Sequence, residues 1–267
     1  MGERITVPKF VARKRKSKRL VMVTCYDATF GRLVDRCDID AVLVGDSLGN
    51  VIQGHETTLP VTLDDVIYHC RAVRRGLTKP LLIGDLPFMT YQVSKEEAAR
   101  NAGRLLQDGT AEAVKLEGGR RVCETVSFLT GMGIPVMGHI GLTPQSVHEF
   151  GGYKIQGRSE DAAQGLLADA KALVDAGIFG LVLEGIPTAL AESITAAIPV
   201  PTIGIAAGLH CDGQVLVLYD LLGLDESFQP RFVKQYDNLS SRVSRALEQF
   251  AVEVQDGSFP GPEHSFD

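Results

Sequence analysis

Eight short, β-rich apolar runs recur along this chain, each bounded by Gly, Pro or a charged residue, and they limit what it can fold into. They are LVMVT (20–24), AVLVG (41–45), LLIG (81–84), AVKL (113–116), PVMG (135–138), GLVL (180–183), TIGI (202–205) and QVLVLY (214–219). Their apolar residues are consecutive rather than alternating, the pattern of strands buried on both faces of a parallel sheet. Helix-like stretches lie between most of them. Residues 64–75 place Asp64 and Asp65 where a helix N-terminus favours negative charge. Residues 94–107 open on Ser94, with Glu97 at the third position of a capping box. Residues 159–175 are rich in Ala and Leu and run out at Gly177, and residues 239–254 read as a closing helix.

The last two runs are only about ten residues apart, short for a crossover that carries a helix, so that connection is expected to be a loop or a single turn. Eight strands alternating with helices in 267 residues predict an α/β fold, a (β/α)8 TIM barrel, for which ~250 residues is typical. A doubly wound open sheet fits less well, because no GxGxxG or GxxxxGK[ST] follows the first run. One domain is expected over 1–267, with a short basic N-terminal segment. A loose tail is expected from about 255, where Gly257, Pro260, Gly261 and Pro262 cluster.

Composition narrows the function classes. The chain is 45% apolar and 6% aromatic, has no Trp, and carries a formal charge of −6. That argues against an aromatic platform for nucleic acid and against general polyanion binding. Residues 13–19, RKRKSKR, hold six cations in seven positions. Without a second basic cluster or stacking aromatics they read as a solvated surface turn rather than a nucleic-acid site. No apolar run reaches membrane-spanning length, and the N-terminus has no signal-like apolar core. The five cysteines are scattered without a CxxC, so neither a zinc ribbon nor a disulfide framework is signalled, and a reducing cytoplasm is expected.

Barrel enzymes carry reacting groups at the C-terminal ends of their strands. Five successive runs here end in ionisable residues: Asp46 (followed by Ser47), Asp85, Lys115 with Glu117, His139 and Glu184. A single Asp after an apolar run is most often a turn or cap residue. Five in succession would converge on one mouth. Lys115 and Glu117 are two apart, so on a strand they share a face, where a metal, a substrate anion or a mutual ion pair must satisfy them. Asp46, Asp85 and Glu117 are hard oxygen donors suited to Mg²⁺, and the lack of HExxH or a Cys cluster argues against zinc. A metal polarising a 2-oxo acid would acidify the adjacent C–H, Lys115 would hold the carboxylate, and Glu184 would take the proton.

The stretches VTCYDATF (23–30), VGDSLGNVIQGHETTLPVTLDDV (44–66), GDLPFMTY (84–91), AVKLEGG (113–119), GHIGLTPQSVHEFGGYKIQGR (138–158), LVLEGIP (181–187) and PTIGIAAGLHCDGQVLVLYDLLGL (201–224) closely resemble the ketopantoate hydroxymethyltransferase family over nearly the whole chain. The resemblance implies a barrel of the phosphoenolpyruvate/pyruvate type. It implies transfer of a hydroxymethyl group from 5,10-methylenetetrahydrofolate to 3-methyl-2-oxobutanoate, giving 2-dehydropantoate on the route to pantothenate and coenzyme A through a Mg²⁺-stabilised enolate. It also implies Mg²⁺ or another divalent cation on Asp46, Asp85 and Glu117, oxo-acid contacts from Asp46, Ser47, Asp85 and Lys115, Glu184 as proton acceptor and His139 in support. Partners would be the two small-molecule substrates and further copies of the chain in a homodecamer, with neither nucleic acid nor membrane. The alternatives are a related metal-dependent 2-oxo-acid carbon–carbon lyase or mutase, and a non-catalytic barrel. The chain departs from the family's common Ile-Gly-Ala-Gly at Ile205-Ala206-Ala207-Gly208, and His210-Cys211 also look individual, which bears on the fit of folate.

Overall fold

A computed structural model describes residues 3–15, 18–225 and 230–266. The chain divides into two compact units, Met1–Val217 and Leu218–Asp267. In the first unit the strands are β1 (Leu20–Thr24), β2 (Ala41–Val44), β3 (Leu81–Asp85), β4 (Ala113–Glu117), β5 (Val136–Gly141), β6 (Gly180–Glu184), β7 (Thr202–Ile205) and β8 (Gly213–Leu216). Each pairs in parallel with the next, and β8 closes on β1, from Leu20 opposite Gly213 to Val23 opposite Leu216. The eight apolar runs are therefore the eight staves of a closed (β/α)8 barrel.

Alternate residues point inward and fill the barrel. Leu20 and Met22, Ala41 and Leu43, Leu81 and Ile83, Ala113, Met137, Val182, Ile203 and Val215 form one buried core with Phe10 and Phe179. Burying each large aliphatic side chain contributes about 1.5–3 kcal/mol. Phe10 comes from the short helix Val7–Ala12, is fully buried, and meets Phe179 edge-on at 5.7 Å. Phe179 directly precedes β6, so the aromatic pair lies at the N-terminal end of the barrel. The outer helices start on side-chain caps, of which Ser94 was expected. Thr62 and Asp65 form a reciprocal box ahead of Leu63–Arg74, Ser94 accepts from the Glu97 N–H, and Ser159 from the Ala162 N–H.

Two local readings are corrected. The basic run is not a freely solvated turn: Arg13 pairs with the buried Asp40 at 3.1 Å, and Lys14 with Asp212 at 2.7 Å. Both acids stand just before a strand, β2 or β8, so closure of the barrel gathers them at the rim where this segment crosses. Lys18 pairs with Asp38 on the surface, while Lys16 and Ser17 lie outside the described residues. The run at 214–219 also stops pairing early. Leu216 is its last paired residue, opposite Val23, and a helix, Leu218–Leu222, has begun by Leu218.

The β7–β8 connection, residues 206–212, contains no helix. It begins at Ala206 with φ +51°, a left-handed conformation in which an L side chain costs ~1–2 kcal/mol and glycine costs less. The departure from the family's glycine therefore falls where glycine would relieve strain.

In the second unit the helix Leu239–Asp256 ends at Gly257, with φ +78°. The chain beyond 255 is not loose. Phe259 packs edge-on against Phe250 at 5.6 Å, and its N–H donates to the Glu253 carbonyl. Among the described residues no helix is long and apolar enough to cross a membrane.

Candidate active site

The parity of each strand decides which charges enter the barrel. Leu81 and Ile83 point inward, so Asp85 does too, and Ala113 brings Lys115 and Glu117 with it. Met137 likewise sets His139, and Val182 sets Glu184. The alternation that packs the core with Leu, Ile and Met thus ends, at the C-terminal mouth, in ionisable groups. Strand register sets Asp85 beside Lys115, and Glu117 beside His139. Asp46 lies just past β2, and its N–H donates to Asp85 Oδ2 at 3.2 Å.

The groups are close and dry. Asp46, Asp85, Lys115, Glu117 and His139 are each less than a tenth exposed, whereas the Glu184 side chain keeps 18% of its surface. Lys115 Nζ stands 2.9 Å from Asp85 Oδ1 and 3.7 Å from Glu117 Oε1. His139 spans two carboxylates, with Nδ1 3.4 Å from Glu117 Oε1 and Nε2 3.2 Å from Glu184 Oε2. The Ser47 hydroxyl bonds the Tyr26 hydroxyl at 2.8 Å. Behind the mouth, Gly141 faces Glu184 across the β5–β6 ladder with φ +99°, and a side-chain carbon there would fall 2.2 Å from the Glu184 carbonyl oxygen. Only glycine allows the base-bearing strand to approach so closely.

Electrostatics follow from this crowding. Burial, then the charges of Asp85 and Glu117, push Asp46 well above the ordinary carboxylate range against the pull of Lys115 and Gln145. Burial and Glu117 raise Asp85 as well, against Lys115. Burial would lower Lys115, but Asp85, Glu117 and Asp46 outweigh it and hold the ammonium charged. Burial would raise Glu117, but Lys115 and His139 keep it low. Burial and Lys115 would lower His139, yet Glu117 and Glu184 bring it up to about 9.

The donor chemistry suits a hard divalent cation. Asp85 Oδ1 and Glu117 Oε1 are buried without a partner in hydrogen-bond geometry. Asp46, Asp85 and Glu117 are three hard oxygen donors gathered at one mouth, the donor set that suits Mg²⁺. Among the described residues no three such side chains already stand at metal-ligand geometry, since Lys115 lies between Asp85 and Glu117.

Two further side chains, Gln145 and Tyr91, belong to the site and were not evident from strand ends. Gln145 and Tyr91, both buried, bond Asp46 and Glu117. Tyr153, exposed between Gly152 and Lys154, has its phenol raised by burial and then by the charges of Asp46, Glu184 and Glu117. The run GLTPQSVHEFGGY, flanked by His139 and dense in polar and glycine residues, was the available signal.

Comparison with known proteins shows the family of the chain and the fold it shares. Residues 4–262 match the family model described as ketopantoate hydroxymethyltransferase. A 3-methyl-2-oxobutanoate hydroxymethyltransferase of Heliobacterium modesticaldum is 54% identical over 266 residues, covering 100% of this chain and 96% of the relative. A namesake from Moorella thermoacetica is 54% identical, covering 98% of each chain. Among solved structures, a phosphonopyruvate hydrolase superposes with a TM-score of 0.63 at 11% identity, covering 98% of this chain and 92% of that one. A 2,3-dimethylmalate lyase of the PEP mutase/isocitrate lyase superfamily gives 0.60 at 15%, covering 96% and 92%. The structural likenesses speak for the barrel alone. The sequence matches run the length of the chain, and by them it belongs to the ketopantoate hydroxymethyltransferase family.

Proposed function

We propose that this enzyme transfers a hydroxymethyl group from 5,10-methylenetetrahydrofolate to 3-methyl-2-oxobutanoate, giving 2-dehydropantoate for pantothenate and coenzyme A synthesis. The observation that carries the reading is the convergence of Asp46, Asp85, Lys115, Glu117, His139 and Glu184 at one mouth, with Glu184 the most exposed carboxylate among them. Asp46, Asp85 and Glu117 would hold Mg²⁺ or a similar divalent cation, which when bound withdraws charge from the ketone oxygen and acidifies C3–H. Lys115 binds the substrate carboxylate, and Asp46, Ser47 and Asp85 complete the oxo-acid contacts. Glu184 takes the C3 proton, with the His139 ring orienting its carboxylate. The new carbon–carbon bond joins C3 to the one-carbon unit, water supplies the hydroxyl, and tetrahydrofolate leaves. Tyr153 offers the pterin a stacking face in an otherwise aromatic-poor site.

The decisive assay combines purified protein, 3-methyl-2-oxobutanoate and Mg²⁺, with methylenetetrahydrofolate added or withheld. 2-Dehydropantoate is expected only with the folate. Consumption of the oxo acid at an equal rate without it would point to a lyase or mutase instead.

We also propose that the chain works in the cytoplasm as a homo-oligomer, a decamer as the family resemblance implies. The helix Leu239–Asp256 supports self-association. It spaces Val243, Leu247, Phe250 and Val254 at intervals of three and four on one face and leaves each about half exposed. Light scattering should return a multiple of 28.8 kDa. A monomer mass at micromolar concentration would rule the assembly out.

A further inference from the structure

Asp46, Asp85 and Glu117 each accept an N–H hydrogen bond on one oxygen. Asp85 Oδ2 accepts the Asp46 N–H at 3.2 Å. Asp46 Oδ2 accepts from Gln145 Nε2 at 2.9 Å, and Glu117 Oε2 accepts the Gln145 N–H at 3.1 Å. Two of these three bonds therefore come from one residue. The twin oxygens, Asp85 Oδ1 and Glu117 Oε1, are buried and face the Lys115 ammonium at 2.9 and 3.7 Å. One oxygen fixed by a neutral N–H and its twin turned to a positive charge is the arrangement expected of carboxylates oriented toward a cation.

Gln145 is built into this position. It is 5% exposed and lies on the one-turn helix Pro144–Ser146 that follows β5. Its Nε2 also donates to the Leu86 carbonyl at 3.0 Å. Its Oε1 faces the Tyr91 hydroxyl at 2.9 Å and accepts from Gln92 Nε2 at 3.2 Å. The Tyr91 hydroxyl in turn lies 3.0 Å from the Glu117 carbonyl and accepts the Glu117 N–H at 3.2 Å. The partners dictate the amide's orientation. A flipped amide would set Oε1 against two acceptors, the Asp46 carboxylate and the Leu86 carbonyl, and its NH₂ toward the Gln92 amide donor. Gln145 is thus a strut across the mouth, joining the loops after β2, β3 and β5 to the end of β4.

We infer that Gln145 is a positioning residue that sets the divalent-cation affinity of this site, orienting Asp46 through its side-chain amide and Glu117 through its backbone N–H. The inference rests on Asp46, Asp85 and Glu117 being the cation's ligands. Replacement of outer partners of this kind typically weakens metal affinity 10–100-fold. Gln145→Met keeps the volume and the backbone N–H but removes the amide donors.

The test is titration of the full-length protein with Mn²⁺ alone, read by calorimetry and by the electron paramagnetic resonance of free Mn²⁺, well below the melting temperature. Gln145→Met should bind Mn²⁺ about 10-fold or more weakly while retaining the wild-type circular dichroism. A purely structural role would lower the melting temperature and leave Mn²⁺ affinity alone. Should Gln145→Met not fold, Tyr91→Phe removes the hydroxyl that faces Oε1 and should weaken Mn²⁺ binding several-fold. Wild-type affinity in the folded variant, while Asp85→Asn binds weakly, overturns the role of Gln145 alone. Wild-type protein that binds no Mn²⁺ overturns both this inference and the ligand assignment.

Discussion

Glu184→Gln should abolish exchange of the C3 hydrogen of 3-methyl-2-oxobutanoate in heavy water, followed by proton NMR with Mg²⁺ present and folate absent. Glu184 points inward from the last position of β6, keeps 18% of its side-chain surface, and has His139 Nε2 3.2 Å from Oε2. A base must reach a substrate that enters from solvent, and the other carboxylates of the cluster are almost wholly enclosed. The amide keeps the shape but has no lone pair basic enough to accept the proton. Removing a general base costs typically 10²–10⁴-fold in rate, so both exchange and turnover should drop by at least two orders of magnitude. Mn²⁺ affinity should be retained, because Glu184 is not among the assigned ligands. Exchange at the wild-type rate would take Glu184 out of the base role.

Lys115→Met should destabilise the cation-free protein severely and abolish oxo-acid binding. The ammonium is 4% exposed and stands against Asp85 and Glu117, with Asp46 also acting on it. Removing one partner of a buried charge cluster leaves the others uncompensated, at a cost of about 3–5 kcal/mol. Divalent cation should recover much of that loss, because the variant offers the same three carboxylates without a competing positive charge. Substrate binding should not recover, since the carboxylate of the oxo acid then has no cation of the protein to meet. Melting curves with and without Mg²⁺, together with calorimetry of 3-methyl-2-oxobutanoate, separate the two effects. A cation-free melting temperature equal to that of the wild type would show that Lys115 does not balance the cluster.

The strand-end residues were legible because barrel topology turns a one-dimensional pattern into a place. Once the apolar runs are taken as parallel staves, Asp85, Lys115, Glu117, His139 and Glu184 must share one end, and the two-residue period turns them inward with the core. The basic segment was misread for the opposite reason. Asp40 and Asp212 are far apart in the chain, and only closure of β8 onto β1 brings both to the rim that Arg13 and Lys14 cross. The early end of the last strand is a similar case. The apolar run continues to Tyr219, but pairing with β1 ends at Leu216.

Gln145 shows where such reading stops. It touches Asp46 across 99 positions of chain, through loops whose path no periodicity encodes. A glutamine after a Thr-Pro turn has no sequence signature of a ligand-orienting amide, and its role becomes visible only from which acceptors surround Nε2. Tyr91 is known to the site in the same way, by a hydroxyl bonded to the backbone of β4.

By itself the sequence determined the number of strands, their parallel burial, the end of the barrel that carries the chemistry, and the residue types available there. These depend on local composition and on a periodicity that backbone geometry enforces. The tertiary structure decided which carboxylate oxygens take N–H hydrogen bonds and which face charges, how Lys115 and His139 are shared among the acids, and which loop side chains complete the mouth. Those depend on distances between segments remote in the chain, which exist only after the barrel has closed.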